Sequence, residues 1–197
     1  GSYTSLAFVD GRPALAYHDN GAGDRAFVRA SNPQGSTWGA PVTVEAAVDT
    51  GLDATLAIVV GYPAIGYLDS GASAVKYVRA GDAQGTAWGT PVTVAAAGTG
   101  ADVSLAVVDG QPSMSFATGG ALWYARAQNA LGSAWYSAVI ADGDAGVGAH
   151  GSLADVGGLP GVSYFADATD DLRFLRLCQA SPPTATPTSS PSVTPST

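Results

Sequence analysis

The chain is poor in the residues that most often anchor chemistry. Its 197 residues include one cysteine, one methionine and two histidines, and a single lysine (Lys76) and a single glutamate (Glu45). With only Cys178 available, an internal disulfide framework and a multi-cysteine metal site are both excluded. Eight Lys+Arg stand against sixteen Asp+Glu, for a net charge of −8. A polyanion partner needs a basic face that releases counterions, so nucleic acid is excluded as a partner. Charged residues make up 12% and apolar ones 46%, too hydrophobic a balance for wholesale disorder. No apolar run approaches the roughly 18 residues of a membrane helix, so no membrane insertion is expected. No basic n-region or apolar h-region stands at Gly1; a leader has been removed, or the sequence starts inside a longer protein.

What is present is repetition. Ser5-Leu-Ala-Phe-Val returns as Thr55-Leu-Ala-Ile-Val, Ser104-Leu-Ala-Val-Val and Ser152-Leu-Ala-Asp-Val. The leucines Leu6, Leu56, Leu105 and Leu153 are spaced by 50, 49 and 48 residues. Each is followed by Gly-x-Pro, then four residues later by an aromatic: Tyr17, Tyr67, Phe116, Tyr164. Next come Phe27-Val-Arg29, Tyr77-Val-Arg79, Tyr124-Ala-Arg126 and Phe174-Leu-Arg176. Three copies end in Gly-x-x-Trp, at Trp38, Trp88 and Trp135, and a further short strand; the fourth stops after Cys178. The units run over about 1–50, 51–99, 100–147 and 148–180.

Each unit reads as four short strands. Asp10-Gly11 and Asp109-Gly110 are hairpin dipeptides between apolar runs. In the second strand Ala14 and Ala16 alternate with Leu15 and Tyr17, a period of two that marks strand. Small residues on one face and large ones on the other suit a sheet held between neighbouring sheets. No capped 3.6-residue period occurs, so almost no helix is expected. The fold class is therefore all-β: a β-propeller of four-stranded antiparallel blades, three complete and one partial. A β-solenoid is the alternative, though its coils are usually shorter. One unit cannot cover both faces of its own sheet, so its neighbours must.

Ser31-Asn-Pro-Gln-Gly35-Ser-Thr37-Trp38 resembles the Asp-box signature of sialidase-type (BNR) propellers, Ser-x-Asp-x-Gly-x-Thr-Trp, with Pro33 at the aspartate position. The corners ending at Trp88 and Trp135 keep the Gly and Trp and lose the aspartate. The resemblance covers about eight residues per corner and implies a turn between a blade's third and fourth strands. The wider unit is similar to tandem repeats of secreted bacterial proteins. Physically, the glycine permits the turn and the indole plugs adjacent sheets; truncating a buried Trp costs about 3–5 kcal/mol. Trp38, Trp88 and Trp135 are thus structural repeat positions rather than sugar platforms.

The resemblance to sialidases implies three arginines, a Tyr–Glu pair and an aspartate. Arg29, Arg79, Arg126 and Arg176 instead occupy one equivalent position per repeat, as structural residues do, and are expected to pair near their blades, with Asp19 or Asp69 as candidates. Glu45 ends an outermost strand. His18 and His150 lack a nucleophile elbow, and His18 reads as packed or surface. No catalytic residue is assigned. Asp19-Asn-Gly-Ala-Gly-Asp24 resembles a fragment of a calcium loop, so Asp19 and Asp24 are the weak metal candidates; the plainer reading is a solvated turn, and no cofactor is expected. A sharper candidate is the third position before each repeat leucine: Tyr3, Asp53, Asp102 and His150. Gathered at a channel mouth, these four would bind a cation or small polar ligand; the plainer reading is four unrelated loop residues. Asp155, where other copies have Phe8, Ile58 and Val107, must be paired. Cys178 reads as a buried thiol.

Fifteen of the seventeen residues in 181–197 are Pro, Thr or Ser, the composition of an extended linker joining further domains of the same polypeptide. The propeller domain then spans 1–180, and the location is extracellular or cell-surface. Two closures stay open: a four-blade ring, or the last blades of a larger propeller, which the short fourth unit favours. The expected function is a non-catalytic scaffold or binding/adhesion module for glycan or protein. The alternative is a fragment of a sialidase-like glycoside hydrolase whose catalytic residues lie elsewhere.

Overall fold

The computed structural model describes residues 1–46, 50–98 and 102–178. Within them the chain forms fifteen β-strands and no helix. Blade 1 consists of β1 (Ser2–Val9), β2 (Arg12–Asp19), β3 (Asp24–Arg29) and β4 (Val42–Glu45). Blade 2 consists of β5 (Thr50–Val59), β6 (Tyr62–Asp69), β7 (Ala74–Arg79) and β8 (Val92–Ala96). Blade 3 consists of β9 (Ser104–Val108), β10 (Gln111–Thr118), β11 (Ala121–Arg126) and β12 (Val139–Asp142). Blade 4 has only β13 (Val147–Asp155), β14 (Pro160–Ala166) and β15 (Asp171–Arg176). Every sheet is an antiparallel meander in chain order. The segment 181–197 and the boundary at residue 180 lie outside the described residues.

The inner hairpins follow from their dipeptides. Asp10-Gly11, Val60-Gly61 and Asp109-Gly110 carry positive φ at both positions, 44°/75°, 46°/76° and 48°/72°. That is the type I′ geometry whose twist matches the flanking strands. Aspartate tolerates this region; Val60, β-branched, is strained there.

Blades meet small face to large face. Ala14 and Ala16 of β2 are fully buried beneath Ile65 and Tyr67 of blade 2. A Cβ on Gly66 would stand 2.7 Å from Met114 Cε, so blade 3 packs straight onto the β6 backbone. Each fully buried Ile65, Met114 or Leu122 contributes about 1.5–3 kcal/mol. β6 is covered on both faces, whereas β2 alternates between buried and half-buried residues. The inner strands β1, β5, β9 and β13 pack side by side in that order. A hydroxyl in each copy ties one to the next. Ser5 Oγ accepts from Leu56 N, Thr55 Oγ1 donates to Val103 O, and Ser104 Oγ accepts from Leu153 N.

The repeat arginines are structural, with partners other than those expected. Arg29 Nε donates to Val9 O and Nη2 to Asp10, Arg79 reaches Val59 O and Val60 O, and Arg176 reaches Val156 O. Arg126 pairs with Asp109. They cap the β1–β2-type turns, not Asp19 or Asp69, because a third-strand arginine beside the turn reaches its carbonyls before the far strand end. Trp88 and Trp135 plug the blade interfaces, each edge-on to the aromatic of the preceding blade, Phe27 and Tyr77. Trp38 differs: among the described residues no aromatic of another blade packs on it, and it is 41% exposed. Cys178 is also exposed rather than buried. Asp155 is paired as its position requires, accepting from Asp109 N and Gly158 N, and these donors hold its carboxyl below the usual range.

Candidate functional site at the hub

The first strand of three blades is interrupted just before its Ser/Thr-Leu pair, and in blade 3 the equivalent residue, Asp102, stands just ahead of β9. The ladder shifts register between Ser2 and Ser5, between Leu52 and Thr55, and between Ala149 and Ser152. Such bulges re-aim side chains. Tyr3, Asp53, Asp102 and His150 occupy these positions, all in the left-handed region with φ of 51°, 50°, 39° and 53°. None is glycine, although glycine would adopt this backbone without strain.

Three of the four form a row. Asp102 N donates to Asp53 Oδ2 at 3.2 Å, and His150 Nδ1 stands 3.9 Å from Asp102 Oδ1. Tyr3 packs instead beside His18, ring centroids 6.5 Å apart and edge to face. His18 itself is buried. Burial raises the Asp53 carboxyl above the usual range, and the Asp102 charge adds to the rise. Both carboxylates are half-buried, and Asp102 faces an exposed imidazole.

Arg25, on β3, lies behind Asp53 and was not singled out from the sequence. It is fully buried, and its Nε, Nη1 and Nη2 have no hydrogen-bond partner. Its guanidinium lies 5.6 Å from the centroid of the Tyr67 ring. Burial lowers its pKa to about 10, while Tyr67, Asp53 and Glu45 favour the charged form. A signal was present: the same strand position holds Val75, Leu122 and Leu172 in the other copies. Next to it, Tyr67 Oη donates to Glu45, and Lys76 Nζ bridges Glu45 at 2.8 Å and Asp69 at 2.6 Å. Glu45 therefore clamps blade 1 to blade 2.

The other candidates stand apart from the hub. Asp19 Oδ1 accepts from Gly21 N and Asp19 O from Gly23 N, with Asp24 opposite in the ladder, so this is a self-capped turn. Among the described residues no group of three Asp, Glu, His or Cys side chains is arranged to hold a metal. In the Gly-x-x-Trp corners the organising side chains are Asn32, Asp82 and Asn129, which accept backbone N–H bonds from the turn. They stand one residue before the Asp-box aspartate position. A surface hollow of about 380 Å³ lies at the outer strands, lined by residues such as Val94, Trp123 and Ala138. It has no part in the hub.

No protein-family model and no curated protein matches the chain. Solved structures do. A thermostable family-43 glycoside hydrolase aligns with a TM-score of 0.57 at 14% identity, over 97% of this chain and 78% of that one. The family-43 endo-arabinanase of Bacillus licheniformis aligns with a TM-score of 0.56 at 15% identity, over 90% and 73%. Bacteroides ovatus xyloglucan PUL GH43B aligns with a TM-score of 0.55 at 13% identity, over 88% of this chain but 39% of its own.

The fold is a β-propeller.

These neighbours also correct a functional expectation. All three are glycoside hydrolases, which overturns the expectation of a non-catalytic scaffold or binding module and favours its glycoside-hydrolase alternative. At such identities the likeness carries the fold. This chain spans 39% of one neighbour and 78% of another.

Proposed function

We propose that the chain contributes four blades to an exported, glycan-cleaving β-propeller enzyme, with Asp53 and Asp102 as its carboxylate pair. The observation carrying this reading is the Asp53–Asp102–His150 row. It consists of two carboxylates and an imidazole from three blades, held in strained backbone at the hub, with Asp102 N bonded to Asp53 Oδ2. Strain maintained by the surrounding fold is a mark of functional sites. Glycoside hydrolysis needs one carboxyl that donates a proton to the leaving oxygen and one that acts ionised on the other side of the sugar. Asp53, with its pKa raised by burial, suits the donor, which leaves Asp102, beside the exposed His150, for the partner role. Arg25 sits behind Asp53 as a positioning charge, and His150 lines the solvent side.

Solved neighbours include an endo-arabinanase and α-L-arabinofuranosidases, which makes arabinose-containing glycans the substrate class of choice. The experiment is turnover of para-nitrophenyl α-L-arabinofuranoside and of arabinan by the full polypeptide. Wild-type activity should fall by about 10²–10⁴-fold in Asp53→Asn and in Asp102→Asn, with the folded state retained. Activity unaffected by either substitution removes both residues from the chemistry.

A further inference from the structure

The four blades end in two faces that repeat internal interfaces without their partners. On the entering side of blade 1, Leu6 is 67% exposed, whereas Leu56, Leu105 and Leu153 at the same repeat position are 5–6% exposed. Trp38 stands open where Trp88 and Trp135 each receive an aromatic from the blade before. On the leaving side of blade 4, Leu172 is 81% exposed, whereas Val75 and Leu122 are 0%. Phe174 is 63% exposed; Phe27 and Tyr77, its equivalents, are 1–2%.

The two faces are opposite halves of one joint. Phe27 inserts so closely at Gly85 that a Cβ there would lie 2.6 Å from its ring, and Tyr77 presses still closer at Gly132. Phe174 is the same knob with no socket, and Gly35-x-x-Trp38 is the same socket with no knob; the atoms nearest a Cβ at Gly35 belong to Pro13 and Trp38 of its own blade. The inner-strand tie also stops short, since Ser152, equivalent to Ser5 and Ser104, is exposed. Contiguous exposed apolar faces of this kind mark an interaction surface.

We infer that these two faces clasp one further blade of the same repeat, about 49 residues carrying a Phe/Tyr knob and a Gly-x-x-Trp socket, supplied by the same polypeptide on the N-terminal side of Gly1. Continuity with the established interfaces specifies the occupant: each face is the complementary half of the joint that the chain already builds twice. The C-terminal side continues into the Pro/Ser/Thr-rich segment, which has too few apolar residues to form a blade. The solved neighbours extend beyond the matched span by about a fifth to a quarter of their length, room for one blade and not for a second four-blade array.

The test compares chain 1–197 with the same chain carrying a second copy of residues 51–98 ahead of Gly1. In the extended chain, the copy's Gly85–Trp88 corner can receive Phe174 and its Tyr77 can enter the Gly35–Trp38 corner. The extended chain should sediment as a monomer, lose most of the anilinonaphthalene sulfonate fluorescence of 1–197, and melt about 5 °C or more higher. Phe174→Ser should lower the melting temperature of the extended chain by several degrees and change that of 1–197 by less than about 1 °C. The inference fails if the added blade leaves fluorescence and melting unchanged, or if Phe174→Ser acts equally in both chains. It also fails if 1–197 itself sediments as a dimer that Phe174→Ser dissolves, which would assign the faces to a second copy. None of these readouts depends on glycosidase activity.

Discussion

Gly35, Gly85 and Gly132 hold one repeat position with nearly one backbone conformation, φ of 69°, 74° and 74°, yet only two of them receive an aromatic ring. Replacing each by alanine separates the cost of the conformation from the cost of the joint. The left-handed penalty is about 1–2 kcal/mol, partly offset by about 0.4–1 kcal/mol of lost unfolded-state freedom. For Gly35 the new methyl meets Pro13 Cγ at 3.3 Å, a contact a small shift relieves, so its net loss is about 1 kcal/mol. At Gly85 the methyl would sit 2.6 Å from Phe27, and at Gly132 closer still to Tyr77. Overpacking adds about 1–3 kcal/mol there, for a total of about 2–4. Urea unfolding of the three variants, at a common m-value, measures this directly. Pairing Gly85→Ala with Phe27→Leu should recover part of the loss, giving a coupling of about 1 kcal/mol between residues of adjacent blades. Equal losses at all three glycines, or an additive double variant, would refute the knob-and-socket account.

Three further outcomes follow from the same geometry. Val60→Asp should raise stability by about 1–2 kcal/mol and the melting temperature by about 3–6 °C, because aspartate tolerates φ of 46° and can meet Arg79 as Asp10 meets Arg29; an unchanged or lower melting temperature contradicts it. Asp53→Asn should stabilise the fold at pH 7. Burial and Asp102 raise the folded pKa of Asp53 above its unfolded value, so its ionisation costs stability as pH rises through the folded pKa, and the gain should vanish near pH 4. Melting curves at the two pH values decide this, and a less stable Asp53→Asn at pH 7 would overturn it. Asp142 behaves oppositely. The Tyr164 hydroxyl at 2.6 Å, then the Asp144 N–H and Arg173, hold its carboxyl below the usual range, so its contribution is present above the unfolded pKa and lost as pH falls through the folded one. Asp142→Asn should flatten the loss of stability in acid below about pH 4, and an unchanged acid limb would count against it.

The repeat made the architecture legible, because each blade carries its own punctuation. Asp-Gly dipeptides fixed the hairpins, the small/large alternation of Ala14–Tyr17 fixed which faces meet, and the missing fourth corner announced the three-stranded last blade. Side-chain partners were harder. Sequence position pairs the repeat arginines with acids at strand ends, whereas they cap turns, because equivalence in sequence does not say how far a long side chain reaches. Periodicity makes Trp38 equivalent to Trp88 and Trp135, yet burial depends on an aromatic from an adjoining blade, which periodicity does not show. The hub row was visible as a shared position, but the side chains' direction was not, since no glycine announces the left-handed bulge. Arg25 went unremarked because its oddity lies only in comparison with Val75, Leu122 and Leu172.

The strain at the hub bears on both architecture and chemistry. A left-handed residue at the same repeat position in every blade is a property of the blade, and it alone would be satisfied most cheaply by glycine. The chain instead places tyrosine, aspartate, aspartate and histidine there, and so accepts the left-handed penalty four times over. Positions that serve packing keep their residue type from copy to copy, as the three corner tryptophans and four turn-capping arginines do. At this position the backbone repeats while the side chains vary. Varied polar side chains on a repeated strained backbone are what a site requires: the blade supplies a fixed direction of aim, and the four copies supply a phenol, two carboxylates and an imidazole. The like-charged Asp53 and Asp102 are held together although burial and the neighbouring charge disfavour ionised Asp53, a cost that packing does not explain.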